Sequence, residues 1–241
     1  MTTNNPSPSP WTKPTTDFWQ QIDTAEQWQA ARMQPPWRYG VPVTLVGGGV
    51  LELPIRPLPG HADRAVASLI ANQASVAVID HLTQAMASLA RSTAVDLIVG
   101  LPTLGFVFAA GLAERLGHTR WVPLGYSRKF WYRDELSTVV DSITSPGSGK
   151  RIYLDPNLLP LVQGRSVLLV DDAVSSGRTM APVWDLLTRL DVQVSGAVVA
   201  MRQGDGGREI LGTERAGAVQ AVFESPLLTL KENGWWPMPA R

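Results

Sequence analysis

The sequence predicts an α/β protein whose core is an open, mostly parallel sheet flanked by helices. Two observations support this fold class. Short apolar runs typical of buried strands occur at 95–100, 167–170 and 193–201. Segments with helical apolar periodicity separate these runs, at 106–116 and 180–190. Strands that alternate with helices in this way indicate a parallel sheet.

The composition excludes several classes of protein. The chain has 241 residues, a formal net charge of zero and no cysteine. The charge gives no sign of a nucleic-acid or membrane surface, and the lack of cysteine excludes disulfides and thiolate chemistry. His61, His81 and His118 show no metal-ligand spacing. No signal peptide or membrane-length apolar run is present, so we expect a cytoplasmic protein.

The first 94 residues precede the predicted core. Residues 1–16 are rich in Pro, Ser, Thr and Asn and are expected to be a disordered tail. Residues 17–94 are expected to form helices and a hairpin. The elements expected there are a helix over 17–33 that Pro35 and Pro36 stop, strands over 41–46 and 50–55 joined by glycines at 47–49, and a largely helical segment over 61–92.

The predicted core covers 95–203, and 204–241 is expected to add a last strand and a tail. The elements expected after strand 95–100 are a loop over 101–105, a helix over 106–116, strands over 120–124, 151–154 and 167–170, a helix over 180–190, and strands over 193–201 and 219–223. Residues 125–150 have no clear pattern. They combine a basic and aromatic cluster at 127–133 with a Ser-, Gly- and Pro-rich stretch, as functional lids often do.

The strongest functional pattern follows the strand at 167–170. Asp171 and Asp172 stand where this strand is expected to end, and a loop of small and hydroxyl residues leads from them to a helix that begins at Met180. Loop amides and a helix N-terminus both present N–H donors to an anion, and hydroxyls add more. The pattern therefore predicts a phosphate cradle. The alternative is a βα unit whose aspartates only cap the helix, with Gly177 as an ordinary turn residue.

This stretch resembles the signature of type I phosphoribosyltransferases that binds phosphoribosyl pyrophosphate (PRPP). In that signature four apolar residues precede two acidic residues, two variable residues, two Ser or Thr, Gly, any residue, and Ser or Thr. The resemblance implies that Asp171 and Asp172 hold the ribose hydroxyls and act in catalysis. It also implies a loop that wraps the 5′-phosphate, made of Ala173, Val174, Ser175, Ser176, Gly177, Arg178 and Thr179.

A second loop, one βα unit earlier, resembles the pyrophosphate loop of the same family. Its residues are Leu101, Pro102, Thr103, Leu104 and Gly105. Backbone N–H groups at a helix start suit a diphosphate, Gly105 permits close approach, and Thr103 offers a hydroxyl. The alternative is an ordinary turn between a strand and a helix.

Arg128 and Lys129 resemble the basic pair that family members place near the pyrophosphate. Cations there offset the charge on a departing diphosphate, and the alternative is a solvated basic turn. The family's mobile catalytic loop is expected within 130–150, where closure excludes water. The order of these parts is most like that of adenine-type phosphoribosyltransferases. The glutamate of that type is missing, since only Asp155 and Glu135 lie nearby, so no general acid is assigned.

The resemblance implies a phosphoribosyltransferase that moves the 5-phosphoribosyl group from PRPP to a nitrogen of a nucleobase or related heterocycle, a purine being favoured, and releases pyrophosphate. Mg²⁺ is expected as cofactor, held mainly by substrate and water without a direct protein site. We expect a homodimer with no nucleic-acid or membrane partner. The alternatives are a PRPP-sensing regulatory protein that keeps the cradle without catalysis, and a pocket for another phosphosugar.

The resemblance also implies a small hood, a variable part that recognises the base. It is expected to come from about residues 35–75 and from the C-terminal tail. Trp235 and Trp236 in that tail either stack on the flat base or pack the tail onto the body of the protein.

Overall fold

The structure is a computed structural model that describes residues 13–28, 32–142 and 145–239, with only the backbone of 141, 142 and 145–148. The described strands are β1 (Gly40–Thr44), β2 (Val50–Leu58), β3 (His61–Ala67), β4 (Leu97–Gly100), β5 (Val122–Pro123), β6 (Ser137–Ser142), β7 (Ser145–Tyr153), β8 (Ser166–Val174), β9 (Gln193–Gln203), β10 (Val219–Ser225), β11 (Leu227–Lys231) and β12 (Gly234–Pro237). The described helices are α1 (Val76–Ala90), α2 (Phe106–Arg115), α3 (Leu159–Val162), α4 (Met180–Arg189) and α5 (Arg208–Gly217). None of them has the length and apolar character that crossing a membrane requires.

Five strands form a parallel core sheet in the order β10-β9-β8-β4-β5, which confirms the predicted fold class. Strand β8 lies at its centre, and its side chains alternate between two apolar clusters. Leu168 and Val170 share one cluster with helices α1 and α2, whereas Val167 and Leu169 share the other with α4. Because both faces are covered, the run at 167–170 is apolar at every position.

The second sheet, the hood sheet, is antiparallel and has the order β1-β2-β3-β11-β12. It combines N-terminal and C-terminal strands, as predicted for the hood. Backbone hydrogen bonds run in both directions between Trp37, just before β1, and Trp235 of β12, with N–O distances of 2.9 and 2.7 Å. The last strand therefore returns to the start of the first, and the sheet curls into a half-barrel. The amide of Val46 also donates to the carbonyl of Val222, which fastens the hood sheet to the core sheet.

The prediction of a helical segment over 61–92 is wrong in its first half. His61–Ala67 is strand β3, and the helix begins only at Val76, where the hydroxyl of Ser75 accepts a hydrogen bond from the amide of Val78. Ala65 and Ala67 are buried alternately along β3, and β2 and β11 pair with it on its two sides. Pairing in the hood sheet thus overrides the local helical pattern.

The prediction of a helix over 17–33 is also wrong. The described residues of this range contain no α-helix; Ala25–Gln27 is a short 3₁₀ turn, and residues 29–31 lie outside the described part. Trp19 has a φ of 61°, which no right-handed helix contains, and its indole Nε1 donates to the carbonyl of Ser68 at 3.1 Å. Burial of this ring therefore sets the local backbone. Of the predicted disordered tail, residues 1–12 lie outside the described residues.

The segments that gave no clear pattern also have regular structure. Strands β6 and β7 form a hairpin within and beyond the ambiguous segment 125–150. Helix α5 lies in the segment 204–241, where only a strand and a tail were expected, and is interrupted at Gly212, whose φ is 77°. Trp235 is fully buried, so its indole packs the tail onto the body of the protein. The division of the chain at residues 17, 95 and 204 stays a prediction.

Candidate active site

Two loops predicted to bind PRPP meet at the carboxyl edge of the core sheet, around a cavity of about 360 Å³. The first loop contributes Pro102, Thr103 and Leu104, and the second contributes every residue from 171 to 179. The carboxyl edge of a parallel sheet is where ligands bind in such folds. The structure therefore brings the acidic pair and both loops to one site.

Close backbone contact holds the first loop against the end of β8. A Cβ at Gly105 would lie 2.6 Å from the carbonyl oxygens of both Leu101 and Val170, so only glycine fits there. The amide of Leu101 donates to the carbonyl of Val170 at 2.9 Å. Leu101 itself is buried beneath the loop, and the peptide bond between Pro102 and Thr103 is cis. Residues 102–104 of this loop line the cavity.

The acidic pair lies at the bottom of this site. The prediction that this strand ends before the aspartates is wrong. Strand β8 continues through both of them to Val174. Asp171 is 8% exposed, and its Oδ1 accepts a hydrogen bond from the amide of Asp172 at 2.9 Å. Burial, and then the charge of Asp172, raise the pKa of Asp171 well above its ordinary value, and burial raises the pKa of Asp172. Two carboxylates held this way favour a ligand that offers hydroxyl protons or positive charge.

The second predicted loop, residues 173–179, is called the phosphate loop. Ala173 and Val174 belong to β8 instead, and residues 175–179 turn between β8 and α4. Gly177 has a φ of 78°, which its missing side chain allows. Gly207 packs directly against the loop backbone. A Cβ at position 207 would lie 2.5 Å from the nitrogen of Gly177. The hydroxyl of Ser175 lies 3.2 Å from Oε1 of Gln203. The loop ends where α4 begins, so it lies at the N-terminus of that helix, where backbone N–H groups are available to an anion.

The predicted basic pair does not line the cavity. Arg128 is 56% exposed, and its Nε lies 3.3 Å from Oδ1 of Asp134, while Lys129 is exposed. The loop that carries them is held at its base, since the indole of Trp131 donates to the Asp155 carboxylate at 3.3 Å and Tyr132 packs beside Tyr153.

Two wall residues were missed from the sequence. Tyr126 and Lys150 line the cavity, with Nζ of Lys150 5.5 Å from the centre of the Tyr126 ring. Burial raises the pKa of Tyr126, and the charges of Asp171 and Asp172 raise it further. No motif marks either residue, because the pairing of β7 with β6 decides where Lys150 lies.

The hood sheet supplies the remaining wall. Val66, Ser68, Leu69 and Ile70 face the same cavity from β3 and the segment after it. A larger cavity of about 840 Å³ lies beside the first, between the hood sheet and the ends of β9 and β10. Among the described residues, no group of three or more His, Asp or Glu converges as a metal site.

Comparison with known proteins places this site in a family. The model of the phosphoribosyl transferase domain matches residues 65–221. The chain is 32% identical over 164 residues to an adenine phosphoribosyltransferase of Cyanothece sp., covering 67% of this chain and 90% of that protein. It is 29% identical over 181 residues to the enzyme of the same name from Thermobifida fusca, covering 74% of this chain and 97% of that one.

Solved structures show the same fold. The adenine phosphoribosyltransferase of Thermoanaerobacter pseudethanolicus has a TM-score of 0.57 at 19% identity, over 71% of this chain and 95% of that one. The Giardia lamblia enzyme, solved with 9-deazaadenine, has a TM-score of 0.57 at 19% identity, over 71% of this chain and 93% of that one. With the family model matching well over half of its length, the chain belongs to the phosphoribosyltransferase family and is an enzyme of that family.

Proposed function

We propose that the protein transfers the 5-phosphoribosyl group of PRPP to a ring nitrogen of a purine, adenine foremost, and releases pyrophosphate. One observation carries the proposal: a single cavity is lined by residues 102–104, the acidic pair and the phosphate loop. These are the three parts that hold a diphosphate, a ribose diol and a 5′-phosphate. The choice of adenine is supported by the names of the relatives, and by a yeast neighbour solved with adenine (TM-score 0.54, 19% identity).

The phosphate loop binds the 5′-phosphate. Its backbone N–H groups and the N-terminus of α4 donate to the phosphate oxygens, and Ser176, Thr179 and Arg178 are placed to add donors. Because both positions are glycine, the backbones at 177 and 207 pack closely and help to hold the loop.

The acidic pair holds the ribose and stabilises its charge. Asp171 and Asp172 accept hydrogen bonds from the 2′- and 3′-hydroxyls, which supply the protons that these buried carboxylates otherwise lack. As the bond to the diphosphate breaks, positive charge develops at the ribosyl carbon. Negative charge already fixed beside that carbon lowers the energy of the transition state without reorganisation.

The departing diphosphate is bound by the first loop and by cations. The backbone of 102–104 faces it, and Lys150 is the cation that reaches the cavity from the hairpin. Arg128 and Lys129 are exposed and are called the loop tip here. They precede Trp131 and Tyr132, whose contacts hold the loop at its base. We propose that this tip closes when PRPP binds, so that both cations approach the diphosphate and water is excluded from the reactive ribosyl carbon.

Mg²⁺ fits this site as an ion carried by the substrate. The Asp171 and Asp172 carboxylates are oxygen donors whose raised pKa values indicate unmet positive charge, and Mg²⁺ otherwise keeps waters and substrate oxygens as ligands. When bound, the ion would neutralise charge on the diphosphate. The chain's own residues hold the ribose, the 5′-phosphate and the leaving group in line.

The base lies against the hood wall. Leu69 and Ile70 offer an apolar surface for a flat ring, and Ser68 offers polar atoms for its edge. We further propose a homodimer that acts in the cytoplasm without a nucleic-acid partner, as the family resemblance implies.

Incubation with PRPP, Mg²⁺ and a panel of bases tests the proposed function. Adenine, hypoxanthine, guanine, xanthine, uracil and orotate would each be supplied, and nucleotide and pyrophosphate would be measured together. We expect equimolar products with adenine or another purine. Turnover with pyrimidines alone would contradict the purine assignment. Tight PRPP binding without turnover on any base, joined to retention on DNA at low salt, would instead indicate a PRPP-sensing regulator.

A further inference from the structure

Gln203 is a buried polar side chain at the junction of three parts of the molecule. It is 6% exposed, ends strand β9 and lines both cavities. Its Nε2 donates to the carbonyl of Ala67 in hood strand β3 at 2.9 Å. Its Oε1 lies 3.2 Å from the hydroxyl oxygen of Ser175 in the phosphate loop. Neither the PRPP signature nor the mechanism above uses this side chain.

The chemistry of these groups decides where the protons are. A backbone carbonyl only accepts, so the amide nitrogen of Gln203 must face Ala67 and its oxygen must face Ser175. Ser175 therefore donates its hydroxyl proton to Gln203. A hydroxyl has one proton, so the side chain of Ser175 cannot donate to a phosphate at the same time. Ser175 is left to bind the phosphate through its backbone N–H, while its hydroxyl fastens the loop.

We propose that Gln203 is a positioning residue that ties the phosphate loop to hood strand β3 and so sets the distance between the 5′-phosphate and the base. Val66 and Ser68 flank Ala67 in the chain and line the substrate cavity, so the bond to Ala67 controls where the hood wall stands. The bond to Ser175 controls where the loop stands. This inference rests on the proposed function, because it assigns the two ends of the link to two substrates.

Gln203→Met tests the link with little change of shape, since methionine has the same length and makes neither hydrogen bond. Loss of two buried hydrogen bonds should raise the KM for PRPP about tenfold and the KM for the base similarly, with a smaller effect on kcat. Ser225→Ala is the matched control. Ser225 is 2% exposed and its hydroxyl faces the same Ala67 carbonyl at 3.5 Å, but it does not bridge to Ser175. It should lower the unfolding midpoint while leaving both KM values within about twofold of wild type. Unchanged KM values in Gln203→Met would overturn the proposal.

A double-mutant cycle separates the two possible roles of Ser175. Because Ser175→Ala and Gln203→Met break the same hydrogen bond, the double variant should have almost the KM for PRPP of Gln203→Met alone. The increase in the KM for PRPP caused by Ser176→Ala should instead multiply with the increase caused by Gln203→Met. If the increase caused by Ser175→Ala multiplies as well, the Ser175 hydroxyl binds the phosphate and the proposed link is wrong. Should Gln203→Met fail to fold, Ser175→Ala alone still breaks the link and should raise the KM for the base.

Amide hydrogen exchange with ribose 5-phosphate as probe gives a readout independent of turnover. In wild type and Ser225→Ala, binding should slow exchange both at 174–179 and at 64–68. In Gln203→Met, binding should still slow exchange at 174–179 but should no longer slow it at 64–68. Equal slowing at 64–68 in Gln203→Met overturns this inference and leaves the proposed function intact. A wild-type protein that binds neither ribose 5-phosphate nor PRPP would overturn the proposed function together with the inference.

Discussion

Replacing Gly207 with alanine should displace the phosphate loop. A Cβ at this position would lie 2.5 Å from the nitrogen of Gly177 and 2.7 Å from the carbonyl carbon of Ser176. Real Cβ contacts are essentially never shorter than 3.0 Å, so the two backbones must separate by the difference between 3.0 and 2.5, at least 0.5 Å. The atoms that clash belong to main chain, so no side-chain rotation can absorb the strain.

Gly207→Ala should lower both the folding stability and the rate of the reaction. Gly207 has a φ of 75°, and a non-glycine residue in that conformation loses about 1–2 kcal/mol of folding stability. For a domain of this size the unfolding midpoint should fall by roughly 2–8 °C. A misplacement of about 1 Å near the chemistry costs about 100-fold in rate, so a shift half as large should lower kcat/KM for PRPP by about tenfold.

Gly212→Ala is the matched control for the stability that is lost when a residue with positive φ is no longer glycine. Gly212 has a φ of 77° within α5, and a Cβ there would meet nothing within 4 Å. Its ψ of 163° lies in a region confined essentially to glycine, so Gly212→Ala should lose at least as much stability from backbone conformation as Gly207→Ala. Initial rates against PRPP at saturating base should fall only for Gly207→Ala. Equal kcat/KM values in the two variants would contradict this prediction, because they would show that Gly207→Ala had moved α5 rather than the phosphate loop.

Four further variants test the same candidate site. Replacing Asp171 and Asp172 together with asparagine should lower kcat/KM for PRPP by at least about 100-fold in steady-state assays. The same double variant should raise the unfolding midpoint at pH 7. In wild type the stability from this pair is fully present below the ordinary pKa of 3.8 and is lost as the pH rises through the raised folded-state pKa values, so denaturant titrations from pH 4 to 8 should show a decline that the double variant lacks. Gly105→Ala should lower kcat and stability together, because its Cβ would clash with two carbonyl oxygens at 2.6 Å, and a normal kcat would show that the first loop need not touch β8. Lys150→Met should raise the KM for PRPP about tenfold as one charge-assisted contact is lost. Arg128→Met should lower kcat instead if the loop tip closes, and a rate equal to wild type would remove Arg128 from the mechanism.

The central βα unit was predicted well because its signals are local. The apolar run at 167–170, the aspartates and the small-residue loop are contiguous, and the structure places a central strand, the acidic pair and a helix start there. The first loop was predicted for the same reason, since residues 101–105 stand directly between β4 and α2. Residues whose place follows from their neighbours in the chain are the ones that sequence reasoning can find.

The hood was predicted in outline but not in its elements. Strand β3 pairs with β11, which is far away in the chain, and with β2 across the short turn at 59–60, and the apolar residues of 61–67 fit a helix equally well until these partners are known. Lys150 and Gln203 were missed because neither belongs to a motif. Strand pairing brings the first to the cavity, and the end of β9 brings the second between loop and hood.

The most direct test of the central claim is a crystal structure of the protein with PRPP and Mg²⁺. We expect the 5′-phosphate within 175–179, the ribose hydroxyls on Asp171 and Asp172, and the diphosphate beside 102–104. A 5′-phosphate bound outside that loop, or ribose hydroxyls turned away from both aspartates, would contradict it.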